Sequence, residues 1–251
     1  MRRAFLLLLC TLVPGVAAGQ ASQFGVRGLG APGRMLSARA MGGGGAFGLF
    51  DAESGLNPAA LSTLPSLTAS FTGIQDYRHV ENPAGTESLR EARFPLIGIG
   101  IPLKRRPLVL GFGFSNYTTR DFTLASADTI LLRGVLVPVS DTFSSRGGMS
   151  DLRLAGAYKL GGGWAVGGSF HVLTGSNRIT SRRAFADASY LTARQSAEIS
   201  AAGVGFDIGV VRTFGANFSM AAVARSDGHA NIDRDSTRVS QVDLPYTFGL
   251  G

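Results

Sequence analysis

The sequence predicts an all-β protein: an antiparallel transmembrane β-barrel, of which about eight strands are visible, behind a glycine-rich N-terminal segment. Three observations lead there. A basic-then-apolar leader marks export. With 35 glycines and only 16% charged residues, the composition suits strands, bends and tight turns better than helices. From residue 67 onward, apolar residues alternate with polar or small ones at a period of two.

The leader comes first. Arg2 and Arg3 form its basic start, residues 4–13 its apolar run, and Val16, Ala17 and Ala18 the small residues of a cleavage site, so residues 1–21 read as a signal peptide. The apolar run is shorter than the roughly 20 residues a membrane-spanning helix needs. The single cysteine, Cys10, lies inside that run and not at the cleavage point. A lipoprotein signal, a disulfide framework and a cysteine-based site are thereby excluded for the mature chain. The formal charge of +7 falls to 7 minus 2, or +5, when Arg2 and Arg3 leave. The arginines are scattered and form no basic stripe interleaved with aromatics, which argues against nucleic acid as a partner.

Residues 22–65 form the N-terminal segment and residues 66–251 the barrel. Strands are expected at 67–78, 92–103 and 108–115, the last two joined by a short basic turn at Lys104, Arg105, Arg106 and Pro107. Further strands are expected at 151–160 and 164–173 around the turn Gly161-Gly162-Gly163, and at 204–210 and 218–225 around a turn at 213–217. An eighth opens at Leu244. The connections at 118–148, 175–198 and 226–243 read as long polar loops, and short turns at one end with long loops at the other suit an outer-membrane barrel. The alternation puts Leu152, Leu154, Tyr158, Val166, Phe170, Phe206 and Ile208 toward lipid. Asp151, Arg153, Lys159, His171 and Asp207 then face the lumen.

Within the N-terminal segment, Gly42 through Gly45 are followed by Ala46-Phe47, by the acids Asp51 and Glu53, and by Asn57-Pro58-Ala59-Ala60-Leu61. This pattern resembles the hatch of the FadL-type outer-membrane transport family, with PorV-like proteins among the wider relatives. The resemblance implies a hatch over residues 22–65 and a barrel that closes with about fourteen strands, this chain being its N-terminal part. It also implies passive uptake of small hydrophobic compounds such as long-chain fatty acids or aromatic hydrocarbons. Phe47, Phe50, Asp51, Glu53, Asn57 and Pro58 become the hatch and transport candidates. The implied partners are a hydrophobic ligand, outer-membrane lipid and lipopolysaccharide, and the barrel assembly machinery. The PorV-like relatives imply an alternative, a barrel serving as anchor or scaffold for surface proteins.

Other patterns carry less. Gly43 to Gly48 matches G-x-G-x-x-G without the preceding strand that a dinucleotide site needs. Asn231, Asp233 and Asp235 alternate but lack the glycine turn and closing glutamate of a calcium loop. Ser169 and His171 share a strand face at about 7 Å spacing, too far for direct contact by spacing alone, so neither catalysis nor a cofactor is expected. Arg178, Arg182, Arg183 and Arg194 fall in an expected external loop, within reach of lipopolysaccharide phosphates. Asp51 and Glu53 are expected to meet Arg153 or Lys159, because a buried carboxylate without a partner costs several kcal/mol. Asn57 before Pro58 favours a turn or helix start.

Overall fold

The computed structural model describes residues 28–33, 35–82, 85–215, 217–234 and 237–251. The leader lies outside them. Twelve strand segments form one antiparallel sheet: β1 (Ala31–Pro32), β2 (Thr68–Asn82), β3 (Gly85–Pro102), β4 (Leu108–Thr119), β5 (Phe122–Leu132), β6 (Val135–Gly161), β7 (Trp164–Phe185), β8 (Ala193–Phe214), β9 (Phe218–Ser226), β10 (His229–Arg234), β11 (Thr237–Asp243) and β12 (Thr247–Leu250). A short helix α1 (Ala38–Gly42) and a 3₁₀ helix η1 (Pro58–Thr63) precede β2.

Several segments lie end to end. β4 and β5 both pair with β6, β9 and β10 both pair with β8, and β12 and β11 extend the sheet beyond them. The sheet is therefore eight strands wide, each strand antiparallel to the next in the chain. Among the described residues its edges, β2 on one side and β11 with β12 on the other, do not pair with each other.

The predicted strands are present, and most run further than their alternation suggested. The stretches read as loops at 118–148, 175–198 and 226–243 are mostly strand: β6 spans 27 residues, β7 and β8 22 each. Two residues join β5 to β6, and residues 186–192 join β7 to β8. Arg133 and Gly134, both at positive φ, turn β5 into β6, the left-handed pair that a two-residue hairpin favours. The reason for the misreading is chemical. These ends carry Ser, Thr and Arg on both faces, so the apolar alternation fades while the backbone pairing continues. The contrast of short turns with long loops consequently does not hold. The eighth strand likewise begins at Thr237 and is only interrupted around Leu244, Pro245 and Tyr246.

The two sheet faces differ in burial. On the open face Leu154, Phe170 and Phe206 form one cross-strand row, with Leu154, Phe206 and Ile208 exposed at 61%, 58% and 68%. On the other face Asp151, Arg153, His171 and Asp207 are buried beneath the N-terminal segment, whose η1 packs on β4, β6, β7 and β8. Among the described residues no helix is long and apolar enough to cross a membrane.

Candidate functional site: a sealed polar network under the N-terminal segment

Two features hold the N-terminal segment on the sheet. The first is a trough of glycines. Asn57 caps η1 by accepting from the Ala59 amide at 3.0 Å, and Pro58 occupies the first helical position, where a missing N–H costs nothing. The 3₁₀ turn then rests directly on backbone. A Cβ at Gly111 would lie 2.6 Å from Leu61 Cδ1, and one at Gly167 2.6 Å from the Pro58 carbonyl carbon. Cβ atoms at Gly100 and Gly209 would run into Leu64 and Asn57. Four strands thus contribute a glycine where the turn sits.

The second feature is internal to the segment. Asp51 is buried and accepts from the hydroxyls of Ser37 and Ser54, the latter at 2.7 Å, and from Arg39. Ser37 also caps α1, accepting from the Ala40 amide at 3.1 Å. Burial pushes the Asp51 carboxyl up, but the hydrogen bonds from Ser37, Ser54 and Arg39 outweigh it and hold the group below its ordinary value of 3.8. A depressed carboxylate stabilises the fold above its ordinary value and loses that contribution as pH falls through the folded one. Protease resistance of the segment should therefore be constant from neutral pH to about pH 4 and fall in more acidic solution. In Asp51→Asn, already neutral, the acid-dependent step should be absent.

Below the segment, the buried ions form one connected network. His171 places Nδ1 2.9 and 3.0 Å from the two Asp151 oxygens and Nε2 2.8 Å from Asp207. Arg225 donates to Asp151 at 2.8 Å and to both oxygens of Asp227 at 2.7 and 2.9 Å. Tyr117 donates to Asp227 at 3.1 Å. Arg153 lies 3.6 Å from Asp151 and donates to the Gly55 carbonyl. Met35 takes a hydrogen bond from each arginine, at 3.1 and 3.3 Å. The network thus spans β4, β6, β7, β8 and β9 and is tied to the N-terminal segment at Gly55 and Met35. Carboxylate oxygens of Asp151 and Asp207 thus lie within hydrogen-bond distance of both ring nitrogens of His171.

Ser169 and His171 are in contact, contrary to the spacing argument: Ser169 Oγ lies 2.9 Å from Nε2. The side chains lean together along the strand, and Asp151 and Asp207 arrive from the neighbouring strands. The order Ser169, His171, Asp151 has the connectivity of a Ser-His-Asp array. Its surroundings differ. The Ser169 hydroxyl donates to Asp207, both ring nitrogens already face carboxylates, and Ser169 and His171 are buried.

The other predicted residues are distributed as follows. Asn57 and Pro58 are buried at the sheet contact, whereas Phe47, Phe50 and Glu53 are half-buried. Asp51 meets a cation, but it is Arg39 of its own segment and not Arg153 or Lys159. Lys159 is exposed near the end of β6 and outside the network. Arg39, Tyr117, Arg225 and Asp227 were missed. Arg225 and Asp227 could have been found by extending the period-two face past residue 225. Asn231 and Asp233 lie in β10, not a loop, while Asp235 is outside the described residues. Between η1 and strands β2 to β4 the apolar space amounts to about 50 Å³, well short of the roughly 300 Å³ at which ligand pockets begin.

These features define a class: an antiparallel sheet with one apolar open face and one charged face closed by the chain's own N-terminal segment. The chain belongs to the BamG family, whose model matches residues 1–245, a family related to the barrel assembly machinery. Comparison with the curated proteins and with the solved structures returned no match. The family match overturns the FadL-type reading and the hydrophobic-compound uptake drawn from it. It lends nothing to the anchor for surface proteins. The Asn57-Pro58 motif that carried the resemblance is accounted for here by capping and close packing, and Gly43 of the glycine run is the C-cap of α1.

Proposed function

We propose that this protein is a membrane-embedded accessory of outer-membrane barrel assembly, with the sheet crossing the outer membrane and residues 28–65 plugging its inner face. Family membership over nearly the whole chain is the observation that carries the link to assembly. The membrane placement is supported by the open-face rows of Leu154, Phe170 and Phe206 and of Tyr158 and Val166, since lipid-exposed strands carry apolar residues outward and polar ones inward. Export by the predicted signal peptide fits the same destination. The role is non-catalytic in this reading, because the Ser169 hydroxyl and both His171 nitrogens are committed to carboxylates.

Edge strands with unpaired backbone groups need a strand partner inside lipid. β2 is such an edge among the described residues. A photo-crosslinker at Phe71 on β2 should capture a component of the barrel assembly machinery in intact cells, and affinity isolation should recover the same component. Absence of every such component from both samples would remove the proposal. A lipid-soluble carbene should label Leu154 and Phe170 and spare Asp151 and Asp207. The reverse pattern would remove the membrane placement.

A further inference from the structure

The open face carries a second pattern above its apolar rows. Counting along the pairing from the row Leu152–Val172–Val204, six residues further lies the row Arg146–Arg178–Glu198. Four residues beyond that lies Thr142–Arg182–Arg194. No register shift intervenes, so all these residues share the face of Leu154 and Phe170. Arg146, Arg178, Arg182 and Arg194 are exposed. Arg146 stands directly across from Arg178, and Arg182 directly across from Arg194. Like charges opposite each other destabilise a strand pair. Glu198, 3.4 Å from Arg178, offsets one of the four charges. An open groove at these rows is lined by Arg146, Arg178, Arg194 and Glu198, with Ser144, Ser176 and Thr180 adding small polar donors, and Arg182 stands beyond its lining in the upper row.

We infer that this face binds the phosphorylated sugar headgroup of an outer-leaflet glycolipid, with Arg146, Arg178, Arg182 and Arg194 holding its phosphates. The inference rests on the membrane placement proposed above. Six residues of strand are about 20 Å, or roughly 15 Å of height at a tilt near 40°, which lifts the first arginine row from the apolar rows to headgroup level. Guanidinium groups bind phosphate through paired N–H donors, and an anion between each arginine pair removes the repulsion. A glycolipid is preferred to a free anion because the apolar rows continue below on the same face, where its acyl chains would lie.

The test uses the full chain in detergent with bis-phosphorylated lipid A as probe. The variant carries Arg146→Gln, Arg178→Gln, Arg182→Gln and Arg194→Gln, all at exposed positions. Its affinity should fall at least about tenfold, and dephosphorylated lipid A should bind the unaltered protein as weakly as intact lipid A binds the variant. An Arg178→Gln, Arg194→Gln pair, less perturbing to folding, should show an intermediate loss. Equal affinity of the unaltered protein and both variants would overturn the inference, as would equal binding of dephosphorylated lipid. Displacement of lipid A by inorganic phosphate or polyglutamate at the same low concentration would also overturn it, by showing a general anion surface. Carbene labelling of Leu154 and Phe170 in the same preparations separates the two failures. Labelling that persists while lipid A ignores the arginines removes this inference alone; absent labelling removes the membrane placement as well.

Discussion

Gly167→Val should lift the N-terminal segment off the sheet. The added side chain would meet Pro58 and Ala59 backbone, and backbone in a capped turn cannot rotate out of the way as a leucine tip can. The cost of about 3 kcal/mol, the upper end for overpacking, exceeds what a short docked turn can absorb. Gly209→Val should act alike through Asn57, displacing the cap of η1. The matched control is Gly156→Val, on the open face with its nearest neighbour, Leu110, at 4.0 Å. Limited proteolysis should cut residues 28–65 rapidly in the first two variants and at the normal rate in the control. The strands should still assemble in all three.

Asp151→Ala should cost about 3–5 kcal/mol, the range for removing one partner of a buried ion pair. Asp151 is the hub: Arg225, Arg153 and His171 all face it, and it is fully buried. Without it three cationic or donor groups from β6, β7 and β9 lose their common acceptor. Urea unfolding followed by intrinsic fluorescence should show the loss. Asp141→Ala, which breaks only the part-exposed pair with Arg183, should leave the urea midpoint close to that of the unaltered chain, since solvent and salt screen an exposed pair.

Much of this sheet was legible because period-two alternation is local and strong where one face is apolar. Residues 151–160 and 164–173 each carry enough of it to fix both strand and face. The strand ends were not legible, since stretches such as residues 176–183 are polar on both sides and show no contrast to read. The ion network was half legible. Asp151, Arg153, His171 and Asp207 were placed on one face, but their partnership depends on register between strands, as does the contact of Ser169 with His171. The glycine trough was invisible for the same reason: Gly100, Gly111, Gly167 and Gly209 come from four strands, and none is distinctive alone. The Asn57-Pro58 motif that carried the resemblance caps η1 and seats it on the sheet, a packing role that carries no information about cargo.

A role in outer-membrane barrel assembly can be read by depleting the protein and measuring the folded fraction of the outer-membrane barrels by heat-modifiable mobility. The folded fraction should fall and unfolded precursors should accumulate. The unaltered chain should rescue both, and Gly167→Val should rescue neither. Normal levels of folded barrels after complete depletion would contradict that role.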